Sequence, residues 1–176
     1  MHLRLLFKAY AEFHKGLKND PIFDKRYFRS LHQLTFLPLY EFAGEYRNQD
    51  ISKGDTLFCK AKYIQPQIKI LFEKLERENY LKTFSYQPKD GFSERITYYM
   101  GELIAIHPFW EFNGRIIRMF FDMIASYNGY EYINYTIYKT GETINPFIQA
   151  SIECVQSGDT SRLKELIFQG LKKIVR

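Results

Sequence analysis

His107-Pro-Phe-Trp-Glu-Phe-Asn-Gly-Arg-Ile-Ile-Arg118 is the stretch of this 176-residue chain whose reading decides the fold. It lies between two helical patterns. Upstream, Ile96, Met100 and Leu103 recur at helical spacing. That helix must end before Pro108, because a residue preceding proline is pushed out of helical geometry. Downstream, a helix is expected from about Asn113 to Tyr127, stopped by Asn128-Gly129. Its Ile116, Ile117, Met119, Phe120, Phe121, Met123 and Ile124 leave almost no polar face, so it should be the buried centre.

This arrangement sets His107 at the end of one helix and Asn113-Gly114-Arg115 at the start of the next. A helix N-terminus offers unpaired backbone N–H groups and a partial positive charge, which together bind anions. Arg115 and Arg118, three apart, project from one side of the helix. Two guanidinium groups at such a place describe a polyphosphate cradle. Glu111 adds a carboxylate suited to Mg²⁺, which takes one or two carboxylates and completes its shell with phosphate oxygens. His107 is the group here that can take a proton from a hydroxyl near neutral pH. A single helix-end His or a solvated Arg pair would mean little. Within one short segment they point to a site.

The rest of the chain reads as mostly helical. Leu6, Tyr10, Phe13 and Leu17 share one face of a helix ending near Gly16 to Asp20. A second helical stretch is expected from Lys25 to Tyr46, interrupted or kinked at Pro38. Between Ile51 and Lys62 the pattern changes around Gly54-Asp55 to a short hairpin. Helical spacing returns from Tyr63 to Arg77, and a loop is expected around Gln87-Pro88-Lys89-Asp90. The last helix follows Ser157-Gly158-Asp159-Thr160, with Leu163, Leu166, Ile167, Leu171 and Ile174 as its apolar stripe. The expected fold class is all-α with a small β-hairpin. The expected organisation is one domain over residues 1–176: an N-terminal helix in 1–24 and a core in 25–176.

Composition narrows the function classes. The chain is 45% hydrophobic and 26% charged, which is globular rather than disordered. A net charge of +5 suits an anionic ligand or acidic partner. The basic residues form no clustered patch, which argues against nucleic-acid binding. Cys59 and Cys154 stand alone, far apart and without ligand spacing, against a zinc site or a disulfide framework. An early Arg4 interrupts any signal-peptide apolar region, and no apolar run approaches the ~18 residues of a membrane span. A cytoplasmic location without membrane attachment is expected.

The central segment resembles the Fic (Fido) signature of cell filamentation proteins, His-Pro-Phe-x-(Asp/Glu)-Gly-Asn-Gly-Arg-x-x-Arg. It agrees at His107, Pro108, Phe109, Glu111, Asn113, Gly114, Arg115 and Arg118. A second block, Leu39-Tyr-Glu-Phe-Ala-Gly-Glu-Tyr-Arg47 followed by Ile51-Ser-Lys-Gly54, resembles the family's upstream segment. The resemblance spans roughly Leu31 to the C-terminus. It implies a Fic-type helical bundle that transfers AMP from ATP to a hydroxyl side chain of a target protein. His107 would be the catalytic base, Glu111 the Mg²⁺ ligand, and Phe109 the anchor of the loop. Phe112, Asn113, Gly114, Arg115 and Arg118 would form the nucleotide-binding set. Leu57, Phe58, Cys59, Lys60, Ala61 and Lys62 would be the flap along which the target docks, though simple packing of a surface hairpin explains Phe58 and Cys59 equally well. Family members that phosphorylate a translation factor carry Lys where Gly114 stands, so glycine favours nucleotidyl transfer.

The chain departs from the family pattern at Phe112, where Gly, or Ala in some branches, is the rule. A benzyl group there should block the anion turn or shift the loop, with strain of order 1–3 kcal/mol if φ is positive. Two readings follow: an active adenylyltransferase, or a degenerate domain kept as a nucleotide- or protein-binding module. A family inhibitory motif is not formed either. Ser161-Arg-Leu-Lys-Glu165 is followed by Leu166 rather than Gly or Asn, so Ser161 reads as a helix start and Glu165 as solvated. Restraint by a separate antitoxin-like protein is the partner this leaves open.

Overall fold

The computed structural model describes residues 1–86, 88–139 and 141–175. Gln87, in the loop expected before the long helix, lies outside them. The described chain is all-α with one small antiparallel hairpin. In order it forms α1 (His2–Gly16), α2 (Lys25–Phe36), β1 (Ser52–Lys53), β2 (Thr56–Leu57) and α3 (Ala61–Arg77). There follow α4 (Lys89–Ile106), α5 (Asn113–Tyr127), α6 (Pro146–Ser157) and α7 (Ser161–Gly170), with short 3₁₀ turns over Leu17–Asn19 and Asn79–Tyr86. Among the described residues no helix is long and apolar enough to cross a membrane.

Helix α5 is the centre, as its sequence requires. Ile116, Ile117, Phe120, Phe121 and Met123 are fully buried, with α1, α2 and α4 packed around them. Rings do much of the filling: Phe28 lies against Phe72, Phe109 and Phe120 at centroid distances of 5.8, 5.4 and 5.4 Å. Helix α1 lays Leu6, Tyr10 and Phe13 on this core. Helices α6 and α7 pack on the other flank of α4.

Several boundaries differ from the sequence expectation. Helix α2 ends at Phe36 rather than reaching Tyr46, because Pro38 has no N–H to continue the ladder. The chain then winds through turns in which Leu39 and Tyr40 N–H groups both donate to the Phe36 carbonyl. Lys89 and Asp90 belong to α4, not to the preceding loop. Helix α7 stops at Gly170, so Leu171 caps it and the exposed Ile174 lies beyond it. A Cβ at Gly170 would sit 2.4 Å from the Asn134 carbonyl oxygen. The extended tail beyond it pairs instead with residues after α5, Ile174 N–H donating to Gly129 O.

Helix α6 is absent from the sequence expectation. Its start is nevertheless well marked: the Asn145 side chain accepts from the Phe147 and Ile148 N–H groups, and Pro146 occupies the first turn.

The hairpin also needs a correction. Its strands pair Ser52 with Leu57 and Lys53 with Thr56 across Gly54 (φ 57°) and Asp55. Of the residues expected in the flap, Leu57 is a strand residue, and Phe58 and Cys59 follow it. Lys60 is the N-cap of α3, while Ala61 and Lys62 form its first turn. The helix starts early because Asp50 Oδ1 accepts the otherwise orphaned Ala61 N–H at 2.6 Å.

Candidate active site

Two left-handed residues bracket the loop between α4 and α5: His107 (φ 48°, ψ 61°) and Phe112 (φ 63°, ψ 14°). Between them Phe109 is fully buried, its ring stacked on His32 at 4.1 Å. Asn113 closes the loop from below. Its Oδ1 accepts the Phe109 N–H at 2.8 Å and its Nδ2 donates to the Phe109 carbonyl at 2.7 Å. With both halves of its amide committed and 2% exposure, Asn113 can offer a ligand its backbone N–H but not its side chain. Any part it takes in holding phosphate therefore falls to that N–H.

Phe112 takes the positive φ that its glycine-like position demands, so the expected strain is present. Its ring stacks on Phe36 (4.1 Å, 17° between planes) and meets Tyr40 at 5.5 Å and His2 at 5.0 Å. The Arg115 guanidinium lies 5.2 Å from the centroid of the same ring. Gly114 leaves room of its own, since an added Cβ would meet only the Phe147 ring, at 3.5 Å. The fold tolerates a side chain there; the glycine keeps the α5 N-terminus open.

A cavity of about 830 Å³ gathers the segment's chemistry. His107, Glu111, Phe112, Asn113, Gly114, Arg115 and Arg118 all line it, so the structure brings together every site residue expected from 107–118. The hairpin side contributes Ser52, Lys53, Thr56 and Phe58, whereas Leu57 and residues 59–62 do not reach it. Helix α6 supplies the facing wall through Phe147, Ile148, Ser151 and Ile152. Gln156 of α6 ties that wall to the hairpin by donating to Thr56 Oγ1 at 3.1 Å.

The electrostatics divide the cavity. His107 stacks on Phe58 at 3.7 Å, with its Nδ1 buried and lacking a well-formed hydrogen bond. Burial lowers its pKa to about 4, with Arg47 and Lys53 adding to the depression; the nearby Ile104 carbonyl partly opposes it. The ring is therefore a neutral imidazole at pH 7, and Nε2 is the nitrogen left to meet a ligand. On the other side Arg118 donates to Gly114 O at 3.0 Å and lies over the Phe147 ring at 4.8 Å. Arg115 is exposed. Beneath Arg118, one turn along α5, Asp122 is buried and its pKa is pushed up to about 7 by desolvation, against hydrogen bonds from Tyr10 and the Ile133 N–H.

Two residues outside the signature hold this loop and escaped the sequence reading as site residues. His32 is fully buried; its Nδ1 accepts the Gly44 N–H at 2.9 Å, leaving Nε2–H to donate to the Glu111 carbonyl at 3.1 Å. Gly44 itself has φ +83° and no room for a Cβ against Gln33. Arg47 binds the carbonyl of His107. Ser161 is the first residue of α7, and Glu165, exposed as expected, lies away from the cavity and pairs with Lys139 at 2.5 Å.

Among the described residues no three His, Cys, Asp or Glu side chains could together hold a metal ion. A single exposed carboxylate lining the cavity, Glu111, suits an ion held chiefly by phosphates and water, which is how Mg²⁺ binds.

With this geometry the comparisons with known proteins agree. Residues 22–125 match the Fic/DOC family, and the chain belongs to it. A relative in Sinorhizobium fredii, named Probable protein adenylyltransferase y4lH, is 35% identical over 112 residues, covering 64% of this chain and 57% of that protein. Protein adenylyltransferase VbhT of Bartonella schoenbuchensis is 37% identical over 108 residues, 61% of this chain and 22% of that one. The chain thus spans little more than half of one curated relative and under a quarter of the other. In fold it is similar to the N-terminal Fic domain of a VirB-translocated Bep effector from Bartonella quintana, solved with bound ADP. The TM-score is 0.76 at 22% identity, covering 98% of this chain and 86% of that one.

Proposed function

We propose that this chain is a protein adenylyltransferase that takes ATP and places AMP on a hydroxyl side chain of another protein. The observation that carries this reading is the single cavity that gathers His107, Glu111, Arg115, Arg118 and the start of α5, with the Phe112 ring stacked on Phe36. His107 Nε2 accepts the proton of the target hydroxyl. The hydroxyl oxygen forms a bond to the α-phosphorus of ATP, the bond from that phosphorus to the bridging oxygen breaks, and pyrophosphate leaves with its electron pair.

The α5 N-terminal N–H groups, Arg115 and Arg118 hold the phosphates, so catalysis is largely positioning and neutralisation of charge. Glu111 would hold Mg²⁺, which supplies charge neutralisation on the phosphate oxygens when bound. The target would lie along the hairpin edge, where Ser52, Lys53 and Leu57 are exposed. A separate antitoxin-like protein is the proposed source of restraint. The relatives' name, adenylyltransferase, supports this class of reaction.

The competing reading is a binding module without catalysis. Incubation with labelled ATP, Mg²⁺ and cell lysate, using the unaltered protein, His107→Ala and Phe112→Gly, separates the two. Label on a protein with the unaltered chain and none with His107→Ala supports the enzyme. Label only with Phe112→Gly favours the module.

A further inference from the structure

We propose that Arg47 is the positioning residue of the base: its buried guanidinium clamps the His107 turn to the segment that carries the base's stacking partner. The proposal rests on the reading of His107 as the general base.

Arg47 is 2% exposed. Its Nε donates to the His107 carbonyl at 2.8 Å and its Nη2 to the Ile106 carbonyl at 3.2 Å. The same Nη2 donates to the Cys59 carbonyl, and Nη1 to Gln49 O at 2.6 Å. The Arg47 backbone N–H takes the Pro108 carbonyl at 2.9 Å. Among the described residues no carboxylate lies within ion-pair distance of it.

A buried cation held by carbonyls alone is an expensive way to pack a core, since an apolar side chain would fill the space without losing hydration. What Arg47 achieves is geometric. The end of α4 leaves carbonyls without helical partners, and the left-handed turn at His107 directs them together. A planar fork serves several at once in a fixed geometry, which a point-like ammonium on a flexible stem does not impose. Cys59 follows Phe58 directly, and the Cys59 N–H donates to Ala105 O at 3.0 Å. The guanidinium therefore fixes the main chain of His107 on one side and, through Cys59, the Phe58 ring that covers the imidazole on the other.

The test uses Arg47→Lys and Arg47→Met in the full chain. It measures affinity for a non-hydrolysable ATP analogue, the rate of transfer, and the NMR titration of the His107 ring. Lys53 of the hairpin is the other charged group acting on that ring, and Glu111, Arg115 and Arg118 share its cavity; all of them remain. The expected result is nucleotide affinity within about three-fold, transfer slowed about ten-fold or more, and a His107 midpoint raised toward the ordinary value. An unmoved His107 midpoint, or affinity and rate falling together, overturns the clamp.

Should neither variant fold, the unaltered protein decides. Arg47 Nε–H exchanging like an exposed arginine, or His107 titrating at the ordinary value, overturns the proposal; protection and a low midpoint sustain it. An unaltered chain that transfers no label fails the functional reading instead, while affinity and ring titration still report on the clamp.

Discussion

The ring of Phe112 lies on the ring of Phe36, 4.1 Å between centroids and 17° between planes, in the position where a Fic signature carries glycine. Two effects then compete in Phe112→Gly. Losing a half-buried ring costs roughly 1–2 kcal/mol, less than the 3–5 of a fully buried one. Relief of the left-handed conformation returns about 1 kcal/mol. Calorimetry should find the melting point lowered by no more than about 4 °C. Nucleotide affinity should stay within about three-fold, since the ring is held against Phe36, Tyr40 and His2; a ten-fold gain would mean that it obstructs binding.

His107, with its pKa lowered to about 4 by burial, is already deprotonated well below neutral pH. The acid limb of the transfer rate should therefore fall far below the 6.5 of an ordinary histidine. Rates measured from about pH 5.5 to 7.5 should be nearly flat on that limb. A halving near pH 6.5 would contradict the buried, Phe58-stacked ring.

His32 bridges two backbone groups separated by most of the fold, the Gly44 N–H and the Glu111 carbonyl. His32→Phe would keep the stack on Phe109 but leave the buried Gly44 N–H and the partly buried Glu111 carbonyl unpaired. A loss of about 2–4 kcal/mol in urea unfolding is expected, about 1–3 for the buried N–H and about 1 for the partly buried carbonyl. His32→Gln, which can still accept and donate, should recover part of it.

Stability should depend on pH through three buried groups. His32 and His107 are both lowered to about 4, so as pH falls from 6.5 toward 4 the unfolded chain binds protons that the native one refuses. Stability falls across that window. Asp122, raised from 3.8 to about 7, acts in the opposite sense: the native state keeps its proton where the unfolded chain has lost it. Near pH 5 the net slope should be about one proton, and Asp122→Asn should steepen it to about two. Denaturant midpoints measured between those limits check the difference.

The helices that bury a wide apolar stripe were legible in the sequence: α1, α3, α4, α5 and α7 follow their spacing to within a few residues. Helix α6 was not. Only Phe147, Ala150 and Cys154 of its Phe147–Ser157 run turn fully inward, because its other face lines a cavity instead of the core. Asn145-Pro146, a cap followed by a first-turn proline, was the available signal. The signature residues were legible because their spacing is local. His32 and Arg47 were not, since their partners Glu111 and His107 lie 79 and 60 residues away, and nothing in spacing announces such a bond. The burial of the Asn113 side chain and the stacking of the Phe112 ring on Phe36 are likewise tertiary facts.

A glycine at the Phe112 position would roam over both halves of the Ramachandran map in the unliganded protein. Phe112 cannot, because its ring is lodged among Phe36, Tyr40 and His2. The disorder that a ligand would otherwise have to quench is already removed when the chain folds. The turn is held in a single conformation, and the helix that begins at His2 has become part of what keeps it there.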